Sequence, residues 1–197
     1  MEINNYIEIQ GTVVSNFEFS HEVFGEKFYT FMLSTKRNSD IEDVLPAMVS
    51  ERLLDVKVDL TDTKIAFIGQ VRTYNQYKEG KSRLLVSIFM LDIIDLREKD
   101  FNNVEVTGYI CKLPVYRKTP LGREIADLLL AVNRPYKKTD YIPCITWGRN
   151  ARYSEGLVVG DCIKIIGRLQ SREYAKNEEV KVAYELSVSK LTEAKQD

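Results

Sequence analysis

Residues 104–111, "VEVTGYIC", alternate apolar and polar positions, the period of a half-buried β-strand. Four later segments read the same way: "DLLLAVNR", "YIPCITW", "DCIKIIGRLQSREY" and "VKVAYELSVSKL". They are short, rich in β-branched, aliphatic or aromatic residues, and separated by Gly, Pro, Asn or Asp. Between the third and fourth of the five lies "GRNARYSEGLVVGD". It has room for about two helical turns, ending near Gly156 or Gly160.

The pattern occurs twice. A shift of 97 residues brings Gly11 onto Gly108, Gly25 onto Gly122, Arg37 onto Arg134, Asp43 onto Asp140, Pro46 onto Pro143 and Arg52 onto Arg149. Under the same shift "GEKFYTFMLSTKR" meets "GREIADLLLAVNR". Further on the shift becomes 98, and "KIAFIGQVRTY" meets "CIKIIGRLQSR", with Gly69 on Gly167. Arg72 then falls on Gln170, so that arginine is not repeated in register. One added residue in the second copy, opposite the stretch between Arg52 and Ile65, accounts for the change. Glycines, a proline and apolar positions matching over this length predict two copies of one domain, 1–97 and 102–197. The polar "LREKDFNN" is the expected junction. Five strands with one short helix between the third and fourth is the order of an OB-fold. The expected class is all-β, two tandem five-stranded Greek-key barrels, although the pattern alone also fits other small barrels.

Bulk composition excludes little else. The chain has 197 residues, 44% hydrophobic and 29% charged, which is ordinary globular composition. No apolar run approaches the ~20 residues needed to span a bilayer, so no membrane partner is expected. "MEINNYIEIQ" lacks a basic and apolar leader, and a cytoplasmic protein is expected. Cys111, Cys144 and Cys162 are odd in number and sit in apolar surroundings, which points to packed thiols. His21 is the only histidine, leaving little material for a catalytic triad or a metal cluster. No phosphate-loop pattern is present, and neither enzyme activity nor a cofactor is expected.

The net charge of −1 conceals two unlike halves. Residues 112–174 carry twelve Lys and Arg against six acids, a net of +6. The matching stretch, 15–76, carries seven against ten, a net of −3. Aromatic residues divide the same way. Tyr136 falls on Ser39, Tyr141 on Val44, Trp147 on Ser50 and Tyr174 on Gln76. "DYIPCITWGR" and its twin "DVLPAMVSER" share Asp, Pro, Arg and the apolar pattern, but the twin lacks the rings. What the twin lacks, a barrel can do without. An aromatic on a barrel strand is often core. Four that vanish together while the core pattern survives point instead to a ligand.

The second copy resembles the bacterial single-stranded DNA-binding protein family. The resemblance runs through "VEVTGYI", "GREIADLLLAVNRPYK", "DYIPCITWGRNA", "VVGDCIKIIGRLQSREY" and "VAYELSVSKL", and covers nearly all of 102–192. The first copy resembles it faintly, mostly through the repeat. The family implies base stacking, carried over by position to Tyr136, Tyr141, Trp147 and Tyr174. Three of these are tyrosine where the family often has tryptophan, which implies weaker binding per base. Phosphate contacts are expected from the neighbouring Lys112, Arg117, Arg134, Lys137, Lys138, Arg149, Arg168 and Arg172. Arg134 and Arg149 are matched in the first copy, so a structural role is the alternative for both.

A cationic groove with aromatic faces suits non-enzymatic binding of single-stranded DNA with little sequence specificity. Replication, recombination or repair would be the setting. RNA as ligand and a tandem-barrel protein-interaction module are the alternatives. Family members work with four barrels, which implies a homodimer of this chain, paired through first strands such as "EVTGYI". Bacterial members usually end in an acidic tip that recruits repair enzymes. Here "LTEAKQD" follows the domain directly, so recruitment by that route is not expected.

Overall fold

The computed structural model describes residues 4–78, 80–176 and 179–194, leaving aside the side chains of Lys78, Lys81 and Lys176. The first OB-fold holds β1 (Asn5–Val13), β2 (Glu18–Val23), β3 (Glu26–Lys36), β4 (Glu42–Ser50), β5 (Lys64–Lys78) and β6 (Lys81–Ile93). The second holds β7 (Asn102–Ile110), β8 (Val115–Lys118), β9 (Glu124–Arg134), β10 (Lys138–Trp147), α1 (Arg149–Glu155), β11 (Cys162–Lys176) and β12 (Glu179–Glu193). Each fold has one strand more than the five expected. β2 is exposed along its whole length, so it carries no apolar alternation to read. β8 has only four residues. The helix forms where expected and stops at Gly156. Its counterpart in the first fold, 51–63, consists of turns. No described helix is long and apolar enough to cross a membrane.

The apolar alternation becomes two barrel interiors. Ile7, Ile9, Leu33, Leu45, Phe67 and Ile88 fill one, and Val104, Val106, Leu130, Ile142, Ile165 and Leu186 the other, all essentially inaccessible. Fully burying such a side chain stabilises by roughly 1.5–3 kcal/mol. Closure depends on glycine at matched positions. A Cβ at Gly11 would collide with the Ser34 carbonyl, and one at Gly108 with the Ala131 carbonyl. There the first strand of each fold crosses to pair with the third, as in Thr12↔Ser34 and Tyr109↔Ala131. Gly69 and Gly167 sit at bulges, where a Cβ would meet the carbonyls of Phe89 and Ser187. Cys144 is buried in the second core.

The two folds share one twelve-stranded sheet, ordered β2-β3-β4-β6-β5-β1-β7-β11-β12-β10-β9-β8. That order is palindromic under the repeat. β1 and β7 pair antiparallel, with Ile7 opposite Val104. These two residues are mates in the 97-residue repeat, so a local twofold axis passes between them. The residues of "EVTGYI" are thus engaged inside the chain. They pair with β1, β11 and β9, which overturns the expectation that these strands join two chains. Residues 94–101 connect the folds without strand structure, whereas Asn102 and Asn103 of the expected junction belong to β7. The connection is pinned to the first fold. The Gln10 side chain bonds the backbone of Arg97 in both directions, Lys64 meets Asp100 at 2.8 Å, and Arg97 covers Phe101.

Each β-hairpin also reaches across the axis. Asp43, on β4, takes Arg37 into a bidentate pair and accepts the backbone N–H of Ser171 at 2.8 Å. Asp140, on β10, lies 2.9 Å from Arg134 and accepts the backbone N–H of Thr73 at 2.7 Å. Both aspartates are fully buried. Removing one would leave a largely buried arginine without its counter-charge and a backbone donor without its acceptor. Asp43→Ala and Asp140→Ala are each expected to cost about 3–5 kcal/mol, measured by urea unfolding. Losses below about 1 kcal/mol, the level of a surface pair, would place the seam's stability elsewhere.

Candidate nucleic-acid interface

β9 and β10 form a hairpin in which Arg134 pairs with Lys138 across the turn Pro135–Tyr136–Lys137. Tyr136 and Lys137 both take left-handed backbone angles, φ 62° and 56°. Residues with bulky side chains avoid that region, so such outliers are enriched where a site needs them. The outcome here is a tyrosine ring held 94% exposed at the hairpin tip.

Along β10, Asp140, Ile142, Cys144 and Thr146 point inward and are buried. Tyr141 and Trp147 lie on the opposite face, exposed by 42% and 39%. Six residues of strand separate them by roughly 20 Å. Opposite them on β9 stand Ala131 and Ile125. Tyr174 lies on β11, two residues beyond Arg172, whose guanidinium sits 5.9 Å from the ring centroid.

The eight cations expected around these rings divide into two groups. Lys112, Lys137, Lys138 and Arg149 are exposed and have no ion pair to an acid among the described residues. Arg149 differs here from its repeat mate, since Arg52 pairs with Glu26 at 3.3 Å. Three of the others are neutralised by acids. Arg117 meets Asp127 at 2.8 Å, and Arg172 is bidentate to Glu185 at 2.9 and 3.2 Å. That bond to Glu185 holds the Arg172 guanidinium more firmly protonated.

Arg134 is largely buried against Asp140, as its mate Arg37 is against Asp43. Its place is in the seam, and the open positive charge of the hairpin comes from Lys137 and Lys138. Burial pushes the Asp140 carboxyl up from its ordinary value, against the N–H of Thr73 and the charges of Arg134 and Arg72. Arg168 is half-buried, touches Gln170 at 3.3 Å, and its Nε has no partner. Burial and the nearby Arg37 pull its pKa down.

The structure therefore gathers Tyr136, Lys137, Lys138 and Tyr141 on one hairpin, places Trp147 on the same face of β10 as Tyr141, and sets Arg172 beside Tyr174. Tyr74 and Tyr77 of the first fold are exposed as well. The arrangement of Phe28, His21, Arg72 and Phe89 around Tyr74 was not foreseen. Its signals in the sequence were Arg72, standing out of register with the second copy, and Tyr74, flanking the position where Gln76 replaces a ring.

These features define a tandem OB-fold chain with exposed aromatics and unpaired cations on its second barrel. Comparison with known proteins agrees with that class. The model of the Single-strand binding protein family matches residues 101–193. Single-stranded DNA-binding protein B of Bacillus subtilis is 34% identical over 93 residues, 42% of this chain and 79% of that protein. Single-stranded DNA-binding protein 3 of Listeria innocua is 36% identical over 84 residues, 39% of this chain and 52% of that one. The chain belongs to the single-strand binding protein family. It spans about half the length of the first curated relatives it matches. The crystal structure of the wild-type single-stranded DNA binding protein from Thermus aquaticus superposes with a TM-score of 0.79 at 19% identity. It covers 98% of this chain and 94% of that one, so the likeness of fold includes both barrels.

Left-handed geometry at Tyr136 favours glycine. Tyr136→Gly is expected to hold stability or raise it by about 1 kcal/mol in thermal unfolding, despite losing a large ring. A clear destabilisation would mean that the ring buttresses the hairpin.

Proposed function

We propose that this chain binds single-stranded DNA without catalysis and with little sequence specificity, protecting exposed strands during replication, recombination or repair. The observation that carries the reading is on β10. Its inward face is fully buried, and its outward face presents Tyr141 and Trp147 to solvent. Unstacked bases need such faces, and the phosphates between them need cations without acid partners. Lys112, Lys137, Lys138 and Arg149 meet that need. Tyr136 and Tyr174, the latter beside Arg172, extend the platform. Arg117 and Arg168 contribute less, one being paired and the other half-buried. Domains 1–97 and 102–197 serve as the two units, and a homodimer in the cytoplasm brings four barrels together. With β1 and β7 joined inside each chain, such a dimer uses other surfaces.

Titration with oligo-dT tests the reading, because Trp147 is the chain's single tryptophan. Fluorescence is expected to fall on binding, and affinity to fall as salt rises, since counterions are released from the strand. Trp147→Ala, followed by anisotropy of a labelled strand, is expected to cost about 1–3 kcal/mol of binding, the worth of one stacked base. An unquenched tryptophan with equal affinity for duplex would sink the proposal and favour a protein partner for the same face.

A further inference from the structure

The sequence comparison removes the first OB-fold's rings at four positions, where Ser39, Val44, Ser50 and Gln76 replace those of the second, and leaves Tyr74 and Tyr77 flanking the last. The structure supplies rings there from other positions. His21, on β2, stacks on Phe28 of β3 with centroids 5.0 Å apart and planes 13° from parallel. Phe28 leans on Phe89 of β6 at 5.8 Å. The Arg72 guanidinium, on β5, lies 3.7 Å from the Phe89 centroid. Together with Tyr74, these groups line a groove of about 450 Å³.

Its far wall comes from the second fold. Arg134 and Lys138, at the base of the β9–β10 hairpin, complete the lining, and no acid lines it among the described residues. Asp140 lies behind, spent on Arg134 and the Thr73 N–H. Among the described residues, Arg72 donates only to Gln70, at 3.3 and 3.0 Å. Burial pulls its pKa down, Arg134 adds to this and Asp140 opposes it. A half-buried guanidinium with no carboxylate, flanked by a second arginine and an unpaired lysine, is a site for an anion. Exposed and half-buried rings beside it suit bases.

The groove on the other side of the pseudo-twofold axis has no such character. Asp43, Asp100, Arg37 and Arg168 line it together, and Phe101 is its one ring. The difference follows from a transposition. β5 carries Gln70 then Arg72, whereas β11 carries Arg168 then Gln170 at the matched positions. The cationic groove is also contiguous with the hairpin of the second fold. The Tyr141 N–H donates to the Thr73 hydroxyl at 2.7 Å, fixing β10 beside β5 one residue from Tyr74.

We propose that this groove is a second stacking site for single-stranded DNA, entered from the Tyr136–Tyr141 hairpin, so that one strand passes from the second barrel onto the first. The proposal rests on the DNA-binding reading above and deepens it. The first barrel then keeps a binding face of its own, made from positions other than those of the second barrel's four rings.

Two labelled oligo-dT strands test it on the whole chain, one of about 8 and one of about 30 nucleotides, given site sizes of roughly 4–16 nucleotides per OB-fold. Arg72→Gln and His21→Ala are each expected to weaken the longer strand by about fivefold or more, the lower bound for one stacked base, and to leave the shorter one unchanged. Bromodeoxyuridine in the longer strand is expected to cross-link to peptides containing His21 or Phe89. If both variants bind both lengths like the wild type while Trp147→Ala weakens both, binding is confined to the second barrel and the proposal is overturned. If the wild type binds neither length, the DNA-binding reading itself fails, and this proposal with it.

Discussion

Everything in this molecule is arranged around the antiparallel pairing of β1 with β7. Two copies of one strand, paired antiparallel with mates opposite each other, generate a twofold axis by geometry alone. It passes between Ile7 and Val104. Once the axis is set, whatever one fold does to the other is done in return. Asp43 reaches Ser171, and Asp140 reaches Thr73. The Gln10 N–H donates to the Phe101 carbonyl, and the Thr107 N–H to the Asn4 carbonyl. A residue of this seam is thus required in both copies, each instance in contact with the opposite fold. That is why Asp and its arginine survive duplication when so much else has changed, whereas the closing glycines recur because each barrel needs its own.

Away from the seam the copies are free to differ, and they do so by chemistry rather than by fold. The barrel interiors keep apolar residues at matched positions. The outward face of β10 carries Tyr141 and Trp147, where β4 carries Val44 and Ser50. Even the half-buried pair on the fifth strand of each fold keeps its composition and exchanges its order, Gln70 and Arg72 against Arg168 and Gln170. In each case the arginine touches its glutamine. Two residues along a strand return to the same face, so the exchange preserves the contact. It moves the positive charge along the strand, which is enough to give the two inter-fold grooves different linings.

The fold was largely legible because barrel closure makes demands that sequence displays. Glycines where strands cross, an alternating interior and a proline in the fourth strand all recur at a fixed spacing. The outer strands β2 and β8 were not legible, since a solvated edge strand has no buried face to impose a pattern. The candidate site was read in part. Subtracting the first copy from the second isolated Tyr136, Tyr141, Trp147 and Tyr174, and all four are exposed. The same subtraction raised a structural role for Arg134 and Arg149 together. The structure separates them: Arg134 is held by Asp140, whereas α1 begins at an exposed Arg149 with no acid partner among the described residues. Pairing partners depend on what lies opposite. Glu26 stands beside Arg52, and its mate in the second copy is Arg123.

Subtraction fails in the other direction for a physical reason. It finds rings that one copy has at the family's positions and the other lacks. It is blind to a surface assembled from new positions on several strands, as with His21, Phe28, Arg72 and Phe89, which come from β2, β3, β5 and β6. No window of sequence contains them together, and the repeat places no ring at the Arg72 or Phe89 mates, Gln170 and Ser187. Only the twofold seam explains why they face Lys138: the hairpin that reaches across the axis to deliver Asp140 also delivers the residues around it. The interaction that fixes the two barrels in place therefore also sets the cationic hairpin of one beside the aromatic groove of the other. The candidate binding surface and the structural seam are coupled in this chain, through the β10 residues that reach β5.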